Sequence, residues 1–109
     1  MNAKWNTRLN RERAQIFKAL GHPLRLAIID ELNIKESCVQ ELEIALGAEQ
    51  SNLSRHLAQL KQAGIIDSRK EGLYVYYSLA IPCVNGFFGC VNQVLTKKIE
   101  TDRELSQIL

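Results

Sequence analysis

Residues 36–80 constrain the fold of this chain most, because their hydrophobic period changes from helical to alternating within one short segment. Up to Gly64, apolar residues recur every three or four positions, which predicts two short helices separated by a turn at Gly47. From Ile66 onward, residues alternate around Gly72, and this pattern predicts a two-stranded hairpin. Two helices around a turn, followed by a hairpin, are the elements of a winged helix-turn-helix.

Helical signals also stand on both sides of this segment. Apolar spacing predicts a first helix over residues 8–20, and Pro23 suits the first turn of a second helix. Ser37 is the expected N-cap of the third helix, and Pro82 is expected to open the fifth. The predicted fold is therefore mainly α with a β-hairpin wing, in the order α-α-α-α-β-β-α, as a single domain over residues 1–109.

Composition places the chain among ordinary globular proteins. Its 109 residues are 46% hydrophobic and 24% charged. No apolar run approaches the roughly 20 residues of a membrane span, and the N-terminus lacks a secretory apolar region. We therefore expect a cytoplasmic protein without a membrane partner, whose three irregularly spaced cysteines do not form a disulfide framework. No phosphate-binding loop, carboxylate pair or Cys/His dyad indicates an enzyme.

Charge is distributed unevenly, although the net charge is only +2. Residues 1–25 are basic, residues 26–49 are acidic, and residues 50–72 are basic again. A basic patch over the fourth helix and the hairpin suits a phosphate backbone. Near-neutrality overall argues against non-specific coating of nucleic acid.

The fourth helix carries the prediction of DNA binding. Leu53, Leu57 and Leu60 form its inner stripe, whereas its predicted outward face holds short amides and hydroxyls that can reach base edges. Basic residues near the hairpin turn have little structural purpose and suit phosphates. The predicted contacts to double-stranded operator DNA are Gln50, Ser51, Asn52, Ser54, Arg55, His56 and Gln59 on the helix, with Arg69 and Lys70 on the wing.

Three stretches resemble the ArsR/SmtB family of bacterial repressors. They are IFKALGHPLRLAIIDEL, the block SNLSRHLAQLKQAGIIDSRKEGLYVYYSL, and the cysteine-containing ESCVQEL; the likeness spans residues 12–95. The resemblance implies a homodimeric winged helix-turn-helix, built through the first and last helices, that binds a palindromic operator. It also implies that an effector weakens DNA binding and thereby derepresses a resistance or efflux operon.

The family's usual effector sites are incomplete in this sequence. Cys38 lies where arsenic- and cadmium-responsive members begin a Cys-Val-Cys-x-x-Cys motif, but Gln40 and Glu43 replace the other two thiols. Asp30 stands where persulfide sensors of the family place a cysteine in the second helix. The resemblance therefore leaves the effector open.

The family's zinc site is also altered. Cys83 occupies the position of its histidine, Ile81 replaces its aspartate, and Val94 and Lys97 replace the ligands of the partner subunit. We therefore do not expect a zinc site of that kind.

Cys83 and Cys90 remain as the main candidate ligands. Seven residues apart, they share one face of the last helix but lie about 10.5 Å apart along its axis, so one helix cannot bring both to one ion. Two such helices paired across a dimer axis can bring a cysteine of each subunit to one ion. Cys38 is a further candidate thiol for this site. Because cysteine sulfur is the only type of donor atom that is concentrated at the candidate site, we expect trivalent arsenic or antimony as inducer, with other soft ions as possibilities.

Two alternatives stay open. The same cysteines suit a thiol-redox or reactive-sulfur switch, in which they oxidise across the dimer instead of binding an ion. A protein-interaction module with a degenerate wing and no operator is the other alternative.

Overall fold

The computed structural model describes residues 3–99 and leaves 1–2 and 100–109, together with the side chain of Ile99, undescribed. The elements, in chain order, are α1 Arg8–Leu20, α2 Pro23–Ile34, β1 Ser37–Cys38, α3 Val39–Leu46, α4 Gln50–Gln62, β2 Ile66–Glu71, β3 Tyr74–Leu79 and α5 Val84–Ile99. The predicted order of five helices and a hairpin is confirmed, with a two-residue strand added before α3. None of the helices within the described range is long and apolar enough to cross a membrane.

The core is one apolar cluster around α4. The inner stripe predicted for that helix is correct, because Leu53, Leu57 and Leu60 have no exposed surface. Helices α1, α2 and α3 and the start of the hairpin close over this stripe. The other buried members of the cluster are Leu20, Ile28, Ile29, Leu32, Leu42, Ile65, Ile66 and Val84. Burial of this stripe fixes the orientation of α4 about its own axis.

Strand β1 was not predicted, and it corrects the expected cap of α3. Ser37 pairs with Tyr77 and Cys38 pairs with Tyr76, so β1 adds a third strand to the hairpin in the order β1-β3-β2. Cys38, not Ser37, is the N-cap residue of α3. The pairing requires extended backbone at Ser37, which moves the helix start one residue along the chain. The wing is thereby attached to the base of the helix-turn-helix.

The helix-turn-helix itself is closed by a glycine turn. Gly47 ends α3 with a φ of 63°, a left-handed conformation that L side chains rarely adopt, and its N–H donates to the carbonyl of Glu43 at 2.9 Å. Helix α4 begins three residues later at Gln50. This short turn places the exposed end of α4 beside α3, as a DNA-reading helix requires.

The last helix begins slightly later than expected. Pro82 and Cys83 form a turn, and α5 starts at Val84. The 3.0 Å hydrogen bond from the Val84 N–H to the Ile81 carbonyl closes that turn. The prediction that α5 reaches about residue 100 is confirmed as far as Ile99, and the tail beyond it lies outside the described residues.

Candidate nucleic-acid interface

The outer face of α4 is polar and accessible. Its inner leucines are locked in the core, so the opposite face is presented to solvent at a fixed angle. Asn52 is half-buried, and the exposed predicted contacts are Gln50, Ser51, Ser54, Arg55 and Gln59. All of them except Gln59 lie in the N-terminal half of α4, which is the part that reads base edges in helix-turn-helix proteins, and together they offer amide, hydroxyl and guanidinium groups.

Arg55 is oriented by its own helix. Its Nη2 donates a 2.7 Å hydrogen bond to the Oδ1 of Asn52, one helical turn earlier. Together with Glu49 and Ser51, these two residues line a shallow polar depression at the start of α4. The guanidinium keeps its remaining N–H groups free for an acceptor, so one phosphate oxygen or guanine edge can be bound there.

His56 does not face outward, and the sequence-based assignment of its side chain is wrong. The residue is only 6% exposed, and its Nδ1 accepts a 2.9 Å hydrogen bond from the Nε of Arg25 in α2. Its ring centroid lies 4.3 Å from that of His22, the N-cap residue of α2. Burial, followed by the nearby positive groups of His22, Arg25 and Arg55, lowers the pKa of His56.

The signal that would have placed His56 inside was present in the sequence. His56 lies three residues after Leu53 and four before Leu60, which is the spacing of the buried stripe. The polar type of His56 favours an exposed side chain, but its position in the helix matches the buried stripe. The partner of His56, Arg25, has no comparable sequence signal, because the two residues are 31 positions apart.

The wing projects from the same surface as α4. Lys61 near the end of α4 donates a 2.6 Å hydrogen bond from its Nζ to the Oγ of Ser68 in β2, which ties the hairpin to the helix. Gly72 turns the hairpin with a φ of 62°. The side chain of Lys70 is exposed and makes no hydrogen bond or ion pair among the described residues. Its ammonium group is therefore available to a phosphate.

Arg69 is also exposed, but its guanidinium is already engaged. It forms ion pairs with Glu36, just before β1, and with Glu71, whose Oε2 lies 2.6 Å from Nη1. The guanidinium carbon also lies 5.0 Å from the centre of the Tyr76 ring. The two carboxylates, Glu71 first, raise the pKa of Arg69. A DNA contact by Arg69 therefore requires exchange of these acidic partners for a phosphate.

The three thiols are in two different environments. Cys38 is buried in the base of the helix-turn-helix, where the side chain of Glu41 accepts from its backbone N–H at 3.2 Å. Cys90 is exposed on α5, and Cys83 is exposed in the turn just before that helix. Within residues 3–99 of one chain, no three His, Cys, Asp or Glu residues come close enough to hold a metal ion. A single chain therefore does not assemble the three cysteines into one site.

Helices α1 and α5 meet at one aromatic contact, and large apolar side chains of both helices are exposed. Phe17 of α1 contacts Phe87 of α5, with ring centroids 5.6 Å apart. Leu9, Val91 and Val94 are also more than a third exposed. We call these five residues the α1–α5 face. Several large apolar side chains left exposed on two contacting helices suit an interface with another chain.

The fold and the polar outer face of α4 define a winged helix-turn-helix DNA-binding regulator. The family model described as "Bacterial regulatory protein, arsR family" matches residues 22–68. The chain is 35% identical over 86 residues to the uncharacterised HTH-type transcriptional regulator Rv0081 of Mycobacterium tuberculosis, covering 78% of this chain and 75% of that protein. The chain belongs to the ArsR family of bacterial regulatory proteins.

Solved structures agree with this assignment. The crystal structure of Rv0081 matches 90% of this chain and 98% of its own, with a TM-score of 0.75 and 33% identity. The solution structure of the homodimeric winged helix-turn-helix domain Mb0332 from Mycobacterium bovis matches with a TM-score of 0.76 and 30% identity, over 92% and 93% of the two chains. The arsenical resistance operon repressor of Escherichia coli is 42% identical over 67 residues, which are 61% of this chain and 57% of that protein.

Proposed function

We propose that this protein is an effector-responsive repressor that binds operator DNA as a homodimer and releases it when its cysteines bind a thiophilic ion. The observation that carries the DNA-binding part is the exposed polar face of α4, fixed in orientation by the fully buried leucines behind it. A helix used only to cover a core has no need of such a face, and charged residues normally serve solubility better.

The α1–α5 face supports a dimer. Burial of apolar surface drives most protein association, and the rings of Phe17 and Phe87 remain about half exposed in the single chain. The relative Mb0332 is homodimeric. Pairing of two chains through this face presents two recognition helices, which must be about 34 Å apart to enter successive major grooves of a palindromic operator.

The proposed DNA contacts divide into two groups. Side chains on the outer face of α4 read base edges, and Lys70 binds the DNA backbone beside them. Arg69 joins them after its carboxylate partners are exchanged for phosphate. The base-reading group is Gln50, Ser51, Asn52, Ser54, Arg55 and Gln59. His56 is left out because its ring is buried against α2.

The proposed inducer is trivalent arsenic or antimony, bound by Cys83 and Cys90 from both subunits. Support comes from the exposure of both thiols and from their sequence positions, four residues before and three residues after Phe87 of the α1–α5 face. The Escherichia coli relative is an arsenical resistance operon repressor. Cys38 is a weaker candidate, because its thiol is only 4% exposed and would have to leave the core to bind an ion.

A fluorescence anisotropy titration tests this proposal. The protein is bound to a labelled duplex taken from the DNA upstream of its own gene, and arsenite is then added. Wild type is expected to lose operator affinity by 5- to 150-fold, a typical range for allosteric coupling. Cys83→Ser and Cys90→Ser are expected to bind the duplex and resist release, whereas Cys38→Ser behaves as wild type. Normal release of the Cys83/Cys90 double variant would reject the proposed site.

A second candidate mechanism uses the same thiols in a redox switch. Both are exposed, and neither has a hydrogen-bond partner among the described residues. Two thiols from two subunits form one disulfide and release two protons, while peroxide accepts the two electrons and becomes water. A non-reducing gel after peroxide treatment would show a covalent dimer that Cys83→Ser or Cys90→Ser abolishes. Arsenite release without any such dimer favours the metalloid mechanism.

A further inference from the structure

We propose that Arg25 positions the recognition helix through a hydrogen bond to His56 that exists only while the His56 ring is neutral, so that operator binding weakens in mild acid. The proposal rests on the operator binding proposed above. It concerns two residues that do not reach the outer face of α4, and it gives His56 a role opposite to that of a DNA contact.

The geometry joins three helices through one side chain. The Nε of Arg25 donates to the Nδ1 of His56 in α4 at 2.9 Å, and its Nη1 donates to the Ala19 carbonyl near the end of α1 at 3.1 Å. Arg25 itself is half-buried in the first turn of α2. A guanidinium is planar and its N–H groups diverge at fixed angles, so these two bonds fix where α4 lies relative to the α1–α2 corner.

The hydrogen bond dictates the protonation state of His56. Arginine can only donate, so the Nδ1 that faces it must carry a lone pair, and the ring hydrogen must be on Nε2. A second proton on the ring would point an N–H group at the guanidinium. Two donors and two positive charges would then face each other in a partly buried contact, and the bond between Arg25 and His56 would break.

The groups around His56 give a protonated ring no compensation. His22 faces it from the start of α2 and Arg55 is the preceding residue of its own helix. Glu12 and Lys18 of α1 line the groove next to Arg25 and His22. None of the described carboxylates contributes to the shift of the His56 pKa, whose causes are burial and three basic residues.

The direction of the pH effect follows from that shift. The pKa of His56 in the folded chain lies below its ordinary value of 6.5, so between the two values the unfolded chain binds more protons than the folded one. The hydrogen bond therefore stabilises the fold fully above pH 6.5 and progressively less as the pH falls through the lowered pKa. Helix α4 loses this polar contact with α2 over the same range.

The direction in which operator affinity changes with pH distinguishes this role from direct DNA contact. A histidine that touched DNA would become cationic in acid and bind phosphates more tightly. A histidine that holds α4 in place only while neutral would do the reverse. Affinity for the upstream duplex is measured by anisotropy at constant ionic strength, from about pH 8 down to the pH at which histidine NMR shows the His56 ring protonated. Circular dichroism confirms that the helices persist.

The expected result is a loss of wild-type affinity of roughly tenfold across this range, the equivalent of one hydrogen bond to a charged group. His56→Asn places an amide oxygen near the position of Nδ1 and does not titrate, so its affinity should be flat with pH. Arg25→Lys keeps the charge but cannot make both bonds, and it should bind about tenfold more weakly at neutral pH. Tighter wild-type binding in acid, or no change, would overturn the proposal.

Histidine ¹⁵N NMR of the free protein tests the hydrogen bond without DNA. The expected spectrum shows His56 with its hydrogen on Nε2 near neutral pH, and titration of the ring accompanied by faster exchange of the α4 amides. A hydrogen on Nδ1 would refute the proposal even if the variants fail to fold. Wild type that binds no upstream duplex at any pH would reject the proposed operator binding, while the NMR result would still decide the Arg25–His56 contact.

Discussion

Asn85 donates a 2.5 Å hydrogen bond from its Nδ2 to the Oδ1 of Asn33, which joins the first turn of α5 to the last turn of α2. Asn85 stands two residues after Cys83, and α2 carries Arg25 at its opposite end. Helix α2 is therefore in contact with the thiol-bearing helix at one end and with the recognition helix at the other. We expect a change of pose at α5 to reach α4 along this route through α2.

Asn33→Ala is expected to weaken that route. The variant removes the hydrogen bond between α2 and α5 but leaves the 3.1 Å hydrogen bond from Asn85 to the Pro82 carbonyl in place. We expect the free energy of unfolding to fall by about 0.5–1.5 kcal/mol, the usual net value of one hydrogen bond, and arsenite to release less operator than from wild type. Urea unfolding and anisotropy measure the two effects. Asn92→Ala, on the exposed side of α5, is the control. Operator release from Asn33→Ala at the wild-type level would argue against this route.

Glu36→Gln is expected to strengthen operator binding. It removes one of the two carboxylates that hold Arg69 and leaves the guanidinium freer to bind phosphate. Since exposed ion pairs contribute little, the gain should be modest, roughly two- to fivefold. Anisotropy at several salt concentrations measures it. Glu43→Gln removes the same charge without an ion pair among the described residues, so an equal gain there would assign the effect to net charge alone.

Glu41→Gln is expected to change acid stability. The hydrogen bond from Lys35 first, and that from the Cys38 backbone second, lower the pKa of Glu41 from 4.5 to about 2. A carboxylate with a lowered pKa stabilises the fold above pH 4.5, and this contribution disappears as the pH falls towards 2.

Thermal unfolding of Glu41→Gln should therefore depend less on pH between 4.5 and 2 than that of wild type. Glu43→Gln is the matched control, since its carboxylate makes no ion pair among the described residues. Parallel curves for Glu41→Gln and wild type would show that the contacts of Glu41 do not stabilise the folded chain.

Gly89→Ala is expected to separate helix stability from dimerisation. A Cβ built at Gly89 meets no atom within 4 Å in the described chain, so a single subunit tolerates it. Alanine also favours a helix by about 1 kcal/mol over glycine. If the partner's α5 packs closely at this position, the dimer should dissociate more readily while α5 gains helicity. Sedimentation equilibrium measures the first effect, with Gln93→Ala as control; an unchanged dissociation constant would show that no close contact forms there.

The sequence alone predicted the five helices, the hairpin and the outer face of α4. Helix and turn positions follow from local features, namely the hydrophobic period, Pro23, Gly47 and Gly72. These features act through neighbouring residues, so the elements they form can be predicted without a structure. The leucine stripe of α4 also implied which face is exposed. The helix order, the hairpin and the exposed face of α4 apart from His56 were therefore correct.

Tertiary structure decided the contacts between residues distant in sequence. Arg25 reaches His56 across 31 positions, and Asn85 reaches Asn33 across 52. No local pattern encodes such pairs, because they depend on how buried surfaces bring separate helices together. The same packing turned His56 inward, buried Cys38 within an additional strand, and left Cys83 exposed in the turn before α5. Local chemistry thus set the elements, and burial decided which of their side chains remain available to DNA or to an inducer.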